Sequence, residues 1–345
     1  MKKSPLSLHL VIPGLLGPMP ALRQSDTDLQ LPNLQRLLAR SQQTLFPGKD
    51  LESVLFKHFG IHADEQSNLP TAAYRRIGDG AIPDDRYWLQ LSPVYLRPDQ
   101  DRLLLFDVED LAFTAAEAEG FAELFNAHFA EEGWSVEVVT PQRWYLPLDT
   151  APKLKCHELT DAFGRNMDLF LPEGDEGIKW HGVLNEIQML FYTSTVNEQR
   201  ESEGKGPISG LWISGGGRLV NKLTTSRSAF YGSDPLLKGL AKMTHLPVDD
   251  RPVDANALCQ LSGDVLVHYD GLQRSVLCAD PFVWQQELAE LEAWITPLVE
   301  AIKRGQVDKL TLYACNGHRY LINKAALRRF WKRSRPILQR LESNS

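Results

Sequence analysis

Short apolar runs of strand length recur along this chain, separated by longer stretches whose apolar residues fall at helical spacing. That alternation limits the fold more than any single motif. LSLHLVI (residues 6–12) has the apolarity of a buried strand, interrupted by His9 and stopped by Pro13-Gly14. LPNLQRLLARS then sets Leu31, Leu34, Leu37 and Leu38 on one helical face, and DLESVLFKHFG repeats the pattern with Asp50 as cap and Gly60 as stop. RLLLFDV, ISGLWI, GDVLVHYD and VDKLTLYAC read as further strands. Between them FTAAEAEGFAELFNAHFAEEG opens with a Thr114–Glu117 capping box, and SDPLLKGLAKM reads as a shorter helix. GIKWHGVLNEIQMLFYTSTVNEQRES reads as one long helix, and DPFVWQQELAELEAWITPLVEAIKRG as another, bent at Pro297. KAALRRFWKRSRPILQRL reads as a basic closing helix, and WSVEVVTPQRWYLPL as two strands split at Thr140-Pro141. The Pro-, Gly- and Asp-rich segment 68–101 reads as loops around one or two strands, including RYWLQL, and 150–175 as irregular.

Strands that alternate with long helices imply an α/β fold: a three-layer sandwich with an open, mostly parallel central sheet. The 345 residues, 43% of them hydrophobic, are enough for a single large α/β domain over 1–345 in which 60–175 contains a smaller inserted or cap region. A formal charge of −7 argues against a general nucleic-acid binder. The four cysteines, Cys156, Cys259, Cys278 and Cys315, form no CxxC pair and suit a reducing compartment. The opening run, with two lysines ahead of apolar residues, reads as a first strand rather than a signal peptide, and no stretch of 18 apolar residues predicts a membrane span. The expected location is the cytoplasm. Neither homo-oligomerisation nor a protein partner can be read from these residues.

In open α/β sheets, ligands sit beyond the carboxyl ends of the strands. The groups at those ends are Pro13-Gly14, Asp107 with Glu109, Gly215 to Arg218, His268 with Asp270, and Cys315 to His318. If their strands are parallel neighbours, these groups converge on one rim. Gly215, Gly216 and Gly217 can offer backbone N–H groups to an anionic small molecule, with Arg218 adding a fork of donors. The same glycines serve equally well as a structural turn, and the segment is neither a Walker sequence nor GxGxxG. Lys222, Thr224, Thr225, Ser226 and Arg227 enrich the following stretch in anion-friendly groups. His268 and Asp270, two apart on a strand, point the same way and suit a metal or an oriented base. His268 also reads as a satisfied histidine near the core edge.

The stretch DPLLKGLAKMTHLPV, following ISGLWISGGG, resembles the archaeal-type cofactor-independent phosphoglycerate mutases of the alkaline phosphatase superfamily. LPNLQRLLA, SPVYLRPDQDRLLLFD, RWYLPL, WHGVLNEIQMLFY and GDVLVHYDGL resemble more closely a bacterial branch of phosphoglycerate-mutase-like, or RpfE-type regulatory, proteins. The resemblance implies an alkaline-phosphatase-like core. It also implies a serine nucleophile and two divalent ions, commonly manganese or zinc, held by Asp and His at strand ends. Where those mutases carry a metal-binding Asp-Gly after the first strand, this chain has Pro13. Thr71-Ala72-Ala73 stands in the nucleophile region, which makes Thr71 the catalytic candidate, and Asn316-Gly317-His318 stands in place of a late Asp-His pair. Asp107, His268, Asp270 and His318 remain as metal candidates for manganese, zinc or magnesium. The expectation is a non-catalytic or regulatory protein that binds a phosphorylated or anionic small molecule at the glycine turn. The alternatives are a divergent metal-dependent phosphomutase or phosphomonoesterase, and an interaction module acting through the basic C-terminal helix.

Overall fold

The computed structural model describes residues 5–22, 29–62 and 68–341; the two leading lysines of the opening run lie outside them. Strands β1 (Leu6–Val11) and β2 (Gln42–Leu45) come first. Then follow β3 (Tyr87–Asp99), β4 (Arg102–Phe106), β5 (Glu137–Thr140), β6 (Arg143–Leu148) and β7 (Gly210–Gly217). The last are β8 (Ala229–Tyr231), β9 (Val248–Asp249), β10 (Gly263–His268), β11 (Val307–Tyr313) and β12 (His318–Asn323). The helices are α1 (Pro32–Arg40), α2 (Leu51–His58), α3 (Thr71–Gly78), α4 (Ala115–His128), α5 (Leu159–Ala162) and α6 (Gly177–Tyr192). They continue with α7 (Thr195–Ser202), α8 (Pro235–Met243), α9 (Gln273–Leu277), α10 (Pro281–Arg304), α11 (Lys324–Leu327) and α12 (Leu338–Leu341). The chain divides into two compact units, Met1–His62 with Leu223–Ser345, and Ala63–Lys222. No described helix is long and apolar enough to cross a membrane.

The first unit is built on a seven-stranded sheet of order β2-β12-β11-β1-β10-β8-β9. β9, β8, β10, β1 and β11 run parallel, and β12 and β2 add an antiparallel edge. This is the expected open, mostly parallel sheet. Alternation along β1 decides the layers: Leu6, Leu8 and Leu10 enter a large core with Val265, Val267, Leu310 and Leu312 and the apolar faces of α1 and α10. The opposite face carries His9, Leu266, His268, Thr311 and Tyr313, and is covered by α2 and α8. His58 packs edge-on to Tyr313 with ring centroids 4.7 Å apart, and Phe59 stacks on Phe230 at 4.9 Å. Two helix starts read from sequence are present in detail. Asp50 accepts from the Ser53 N–H at 2.6 Å, and Asp280 caps α10 through the N–H groups of Phe282 and Val283.

The second unit is an antiparallel five-stranded sheet in which β3 pairs β4, β6 and β7 and β5 pairs β6. Tyr87, Leu89 and Leu91 face a core shared with α4 and α6. Trp88 and Tyr145 face the other way, against Ala72 and Ala73 of α3. The structure corrects three expectations. The segment 68–101 is not mostly loop but a helix followed by a thirteen-residue strand. The long helix over 177–202 is two helices, because Ser194 leaves helical geometry and caps α7 by accepting from the Asn197 N–H. The closing basic helix is only α11 and α12, and Arg328 to Pro336 between them are not helical.

Candidate functional site

The tips of the adjacent parallel strands β8, β10, β1 and β11 are where the sheet topology would place a ligand. At the end of β1 the chain turns at Pro13 and Gly14. Gly14 has φ of +80° and lies so close to helix α9 that a Cβ there would meet the Leu272 carbonyl oxygen at 2.6 Å. Its own carbonyl accepts from Trp284 Nε1 at 2.9 Å, so this tip is closed by packing. At the end of β10 the His268 ring is buried with neither nitrogen hydrogen-bonded. Burial pushes its pKa down, against the pull of Asp234 and Asp270. Asp270 accepts from Ser233 Oγ at 2.9 Å and lies 3.8 Å from an Arg251 nitrogen. His318 begins β12, with Nδ1 3.3 Å from the Asn316 carbonyl. Asp107 belongs to the second unit, where it accepts from the Glu109 N–H at 3.1 Å. Among the described residues no three His, Cys, Asp or Glu side chains form a group able to hold a metal ion. A two-ion centre needs several anionic donors in one place, so the residues at these strand ends do not fit the divalent pair that the resemblance implies.

The expected convergence on one rim is corrected by topology, because β7 and β4 belong to the antiparallel sheet of the second unit. Gly217 faces Trp88 and Ser214 faces Gln90, so Gly215 and Gly216 together oppose Leu89 alone, and the pair forms a bulge in β7. Gly215 has φ of +66°, and a Cβ there would stand 2.1 Å from Thr71 Oγ1 and 2.8 Å from the Ala72 nitrogen. A Cβ on Gly216 would strike the Tyr87 hydroxyl, and one on Gly217 the Pro70 ring. The three glycines let α3 lie against β7. Arg218 donates to the backbone carbonyls of Asp85 and Asp149. Thr71 is fully buried, and its hydroxyl donates to Glu158 Oε1 at 2.6 Å, while Arg75 holds the other carboxylate oxygen at 2.7 Å. Gly215→Ala is therefore expected to cost roughly 2–5 kcal/mol, combining about 1–2 for left-handed backbone with about 1–3 for overpacking. Urea unfolding measures it. An unchanged midpoint would return the glycines to a binding role.

A third group of residues, scattered through the sequence, does come together on the α2 face of the first unit. His9 Nδ1 lies 3.0 Å from the Tyr313 hydroxyl, and Nε2 lies 2.7 Å from Asp264 Oδ1. Burial, then the charges of Arg227, Lys309 and Arg319, push the His9 pKa down to about 3. A neutral ring carries one proton. Nε2 stands between the Asp264 carboxylate and Arg227 Nη1, which lies 3.0 Å from it, while Nδ1 faces the Tyr313 hydroxyl, a group that can either donate or accept. Arg227 ties the group together. Its Nη1 is 2.8 Å from Asp264 Oδ1, and its Nη2 donates to His58 Nδ1 at 3.0 Å. Above them a cleft of ≈ 400 Å³ is lined by Lys57, His58, Arg227, Tyr313, Arg319 and the hydroxyl run Thr224 to Ser226. The sequence had flagged Thr224 to Arg227 as anion-friendly. It missed His9, His58, Asp264, Tyr313 and Arg319, whose one visible signal is an ionisable side chain inside an apolar run.

No family model matches the chain. Over 109 residues it is 27% identical to a 2,3-bisphosphoglycerate-independent phosphoglycerate mutase of Methanosarcina acetivorans, a match covering 30% of this chain and 28% of that one. Over 99 residues it is also 27% identical to the protein of that name from Methanosarcina mazei, covering 27% of this chain and 25% of the other. The match thus spans only about a quarter of the length of these relatives. Among solved structures, the PH0037 protein of Pyrococcus horikoshii superposes with a TM-score of 0.51 at 12% identity, over 93% of this chain and 88% of that one. A cofactor-independent phosphoglycerate mutase from Thermoplasma acidophilum gives 0.44 at 15% identity, over 98% and 95%. The chain shares its α/β fold with PH0037, and part of its sequence is similar to cofactor-independent phosphoglycerate mutases.

Proposed function

We propose that this chain is a non-catalytic, regulatory member of the phosphoglycerate-mutase-like group, built on an alkaline-phosphatase-like core, that binds a phosphorylated or other anionic small molecule without turning it over. One observation carries the reading: the tip of β1 ends in Pro13 and is closed by Leu272 and Trp284, where the mutase-type chemistry would need a metal-bound carboxylate. Phosphoryl transfer between two ions depends on anionic donors that neutralise the cations and fix their spacing. Neither Pro13 nor the buried Thr71 supplies the part that resemblance would assign it. A second reading, a divergent metal-dependent phosphomonoesterase, draws on His268, whose ring nitrogens are buried and unpartnered at the end of β10.

Mutase and phosphomonoesterase assays with manganese, zinc and magnesium in turn separate the two. The regulatory reading expects no turnover above the rate without protein for any metal. Turnover that disappears on His268→Ala or Asp270→Asn would overturn it in favour of the enzyme.

A further inference from the structure

The cleft on the α2 face has a surplus of hydrogen-bond donors. Lys57, Arg227 and Arg319 bring three cations to it, and Asp264, the carboxylate beside Arg227, already faces both Arg227 and His9. Among the described residues no Asp or Glu lines the cleft. Burial, followed by the charge of Arg319, pushes the Lys57 pKa down, so the two cations crowd each other. Lys57 Nζ rests 4.9 Å from the centre of the Phe46 ring, a contact that leaves its positive charge uncompensated.

His58 supplies the independent sign of a missing acceptor. Its ring is 8% exposed, and burial, then Arg227, His9 and Arg319, push its pKa well below 6.5, so it is neutral. Because Nδ1 accepts from Arg227, the single proton sits on Nε2. That N–H is buried and has no hydrogen-bond partner among the described residues, and neither does Arg227 Nε. Buried donors are rarely left unpaired, since an unmet one costs a large part of its solvation. A ligand that brings several acceptor oxygens and negative charge would satisfy His58 Nε2, Arg227 Nε, Lys57 and the hydroxyls of Thr224, Thr225 and Ser226 together.

We infer that this cleft is an oxyanion site that takes a phosphate dianion, either free or as the phosphoryl end of a small monoester. The charge has the right sign: among the described residues Lys57, Arg227 and Arg319 bring three cations to the cleft, and Asp264 offsets part of the charge of Arg227. Tetrahedral oxygens also suit donors that come from four segments, α2, the 224–227 run, β11 and β12. Arg227 serves as a positioning residue as well as a contact. It spans Asp264 and His58, and by donating to His58 Nδ1 it fixes the ring and leaves Nε2 as the donor. The site rests on the reading above that the chain binds an anion, and it assigns that anion to residues other than Gly215 to Arg218.

Titration calorimetry with inorganic phosphate and with glycerol phosphate tests the assignment on the full chain. Both Lys57→Met and Arg319→Gln are expected to weaken phosphate binding about tenfold or more, as loss of one charge-assisted contact does. Thermal melts of the two variants check that they fold, and Arg227 is left intact because its loss would strand Asp264 and His58. Glycerol phosphate binding as tightly as phosphate assigns a monoester, and binding of phosphate alone assigns the free ion. Each result supports the site. Phosphate binding that ignores both substitutions but falls with Arg218→Gln overturns the site and leaves the anion-binding reading standing. An absence of binding by both probes at millimolar concentration overturns both.

Discussion

Asp79→Ala is expected to destabilise the second unit by about 3–5 kcal/mol, the usual cost of removing one partner from a buried ion pair. Asp79 follows α3 and is nearly buried, with a side chain only 6% exposed. Its carboxylate takes a two-point contact from Arg143, at 2.8 and 2.7 Å, and a third hydrogen bond from the Tyr145 hydroxyl at 2.7 Å. Burial and then the charge of Asp79 hold the Tyr145 pKa well above 10, so the phenol stays a donor. Removing the carboxylate leaves the buried Tyr145 phenol and the part-exposed Arg143 guanidinium without the acceptor they share. Asp79→Asn keeps one acceptor oxygen and should lose less. Adding Arg143→Met to Asp79→Ala should recover part of the loss, because the stranded charge is gone. Urea unfolding followed by tryptophan fluorescence reads all three, since Trp88 lies in the same layer. A loss below about 1 kcal/mol for Asp79→Ala would place the pair among weak surface contacts and remove its role in anchoring α3.

The first unit was legible because its rules are local. Each parallel strand is a short run flanked by helices, and Leu6, Leu8 and Leu10 alternate with residues of the other face as a sheet between two helical layers requires. The second unit was harder to read. β3 contains Pro93 and Pro98 and interleaves Gln90 and Ser92 with leucines, which looks like loop broken by short apolar pieces. Both faces of that strand are nonetheless covered, one by α4 and α6 and the other by α3, and Gln90 donates to Ser92 Oγ at 2.9 Å inside the unit. Tertiary cover overrode the local signal. The same cause settles the three glycines. From sequence they fit a phosphate cradle as well as a turn, and only the approach of Thr71 and Pro70 of the α3 segment shows what they make room for.

The cleft was legible only in its one continuous piece. Thr224 to Arg227 stand together in sequence, but His9, His58, Asp264, Tyr313 and Arg319 meet because β1, β10 and β11 are neighbours in a sheet whose order differs from chain order. No spacing rule joins residues more than 200 positions apart. His9 looked like an interruption in an apolar run, and His58 like one more polar residue at a helix end. Burial makes both of them chemically distinctive, and burial depends on the packed layers.

That burial leads to the second large effect, a loss of stability in mild acid. In the unfolded chain the histidines titrate near 6.5. In the folded first unit His9, His58 and His268 are all held neutral to lower pH, His9 down to about 3, with burial the leading cause in each case. Between those values the unfolded chain binds protons that the folded protein refuses. Stability is therefore full above about pH 6.5 and falls as pH drops below it. Each histidine contributes a slope of about 1.4 kcal/mol per pH unit within its window, so the three together give roughly 4 kcal/mol per unit at the steepest. Against a typical total of about 5–15 kcal/mol, a loss of that steepness raises the pH at which acid unfolds the first unit. Carboxylates with lowered pKa, such as Asp84 and Glu117, lose their contribution only below their ordinary values, so they add nothing to a drop above pH 5. Urea midpoints measured at half-unit steps from pH 8 to 5 should be level at first and then drop steeply. With saturating phosphate the drop should be shallower if the anion takes the His58 N–H as its donor, because a ligand bound only to the folded state adds stability of its own. A midpoint that stays level to pH 5 would mean that these rings are protonated in the folded protein, and the neutral His58 on which the anion site depends would be lost with them.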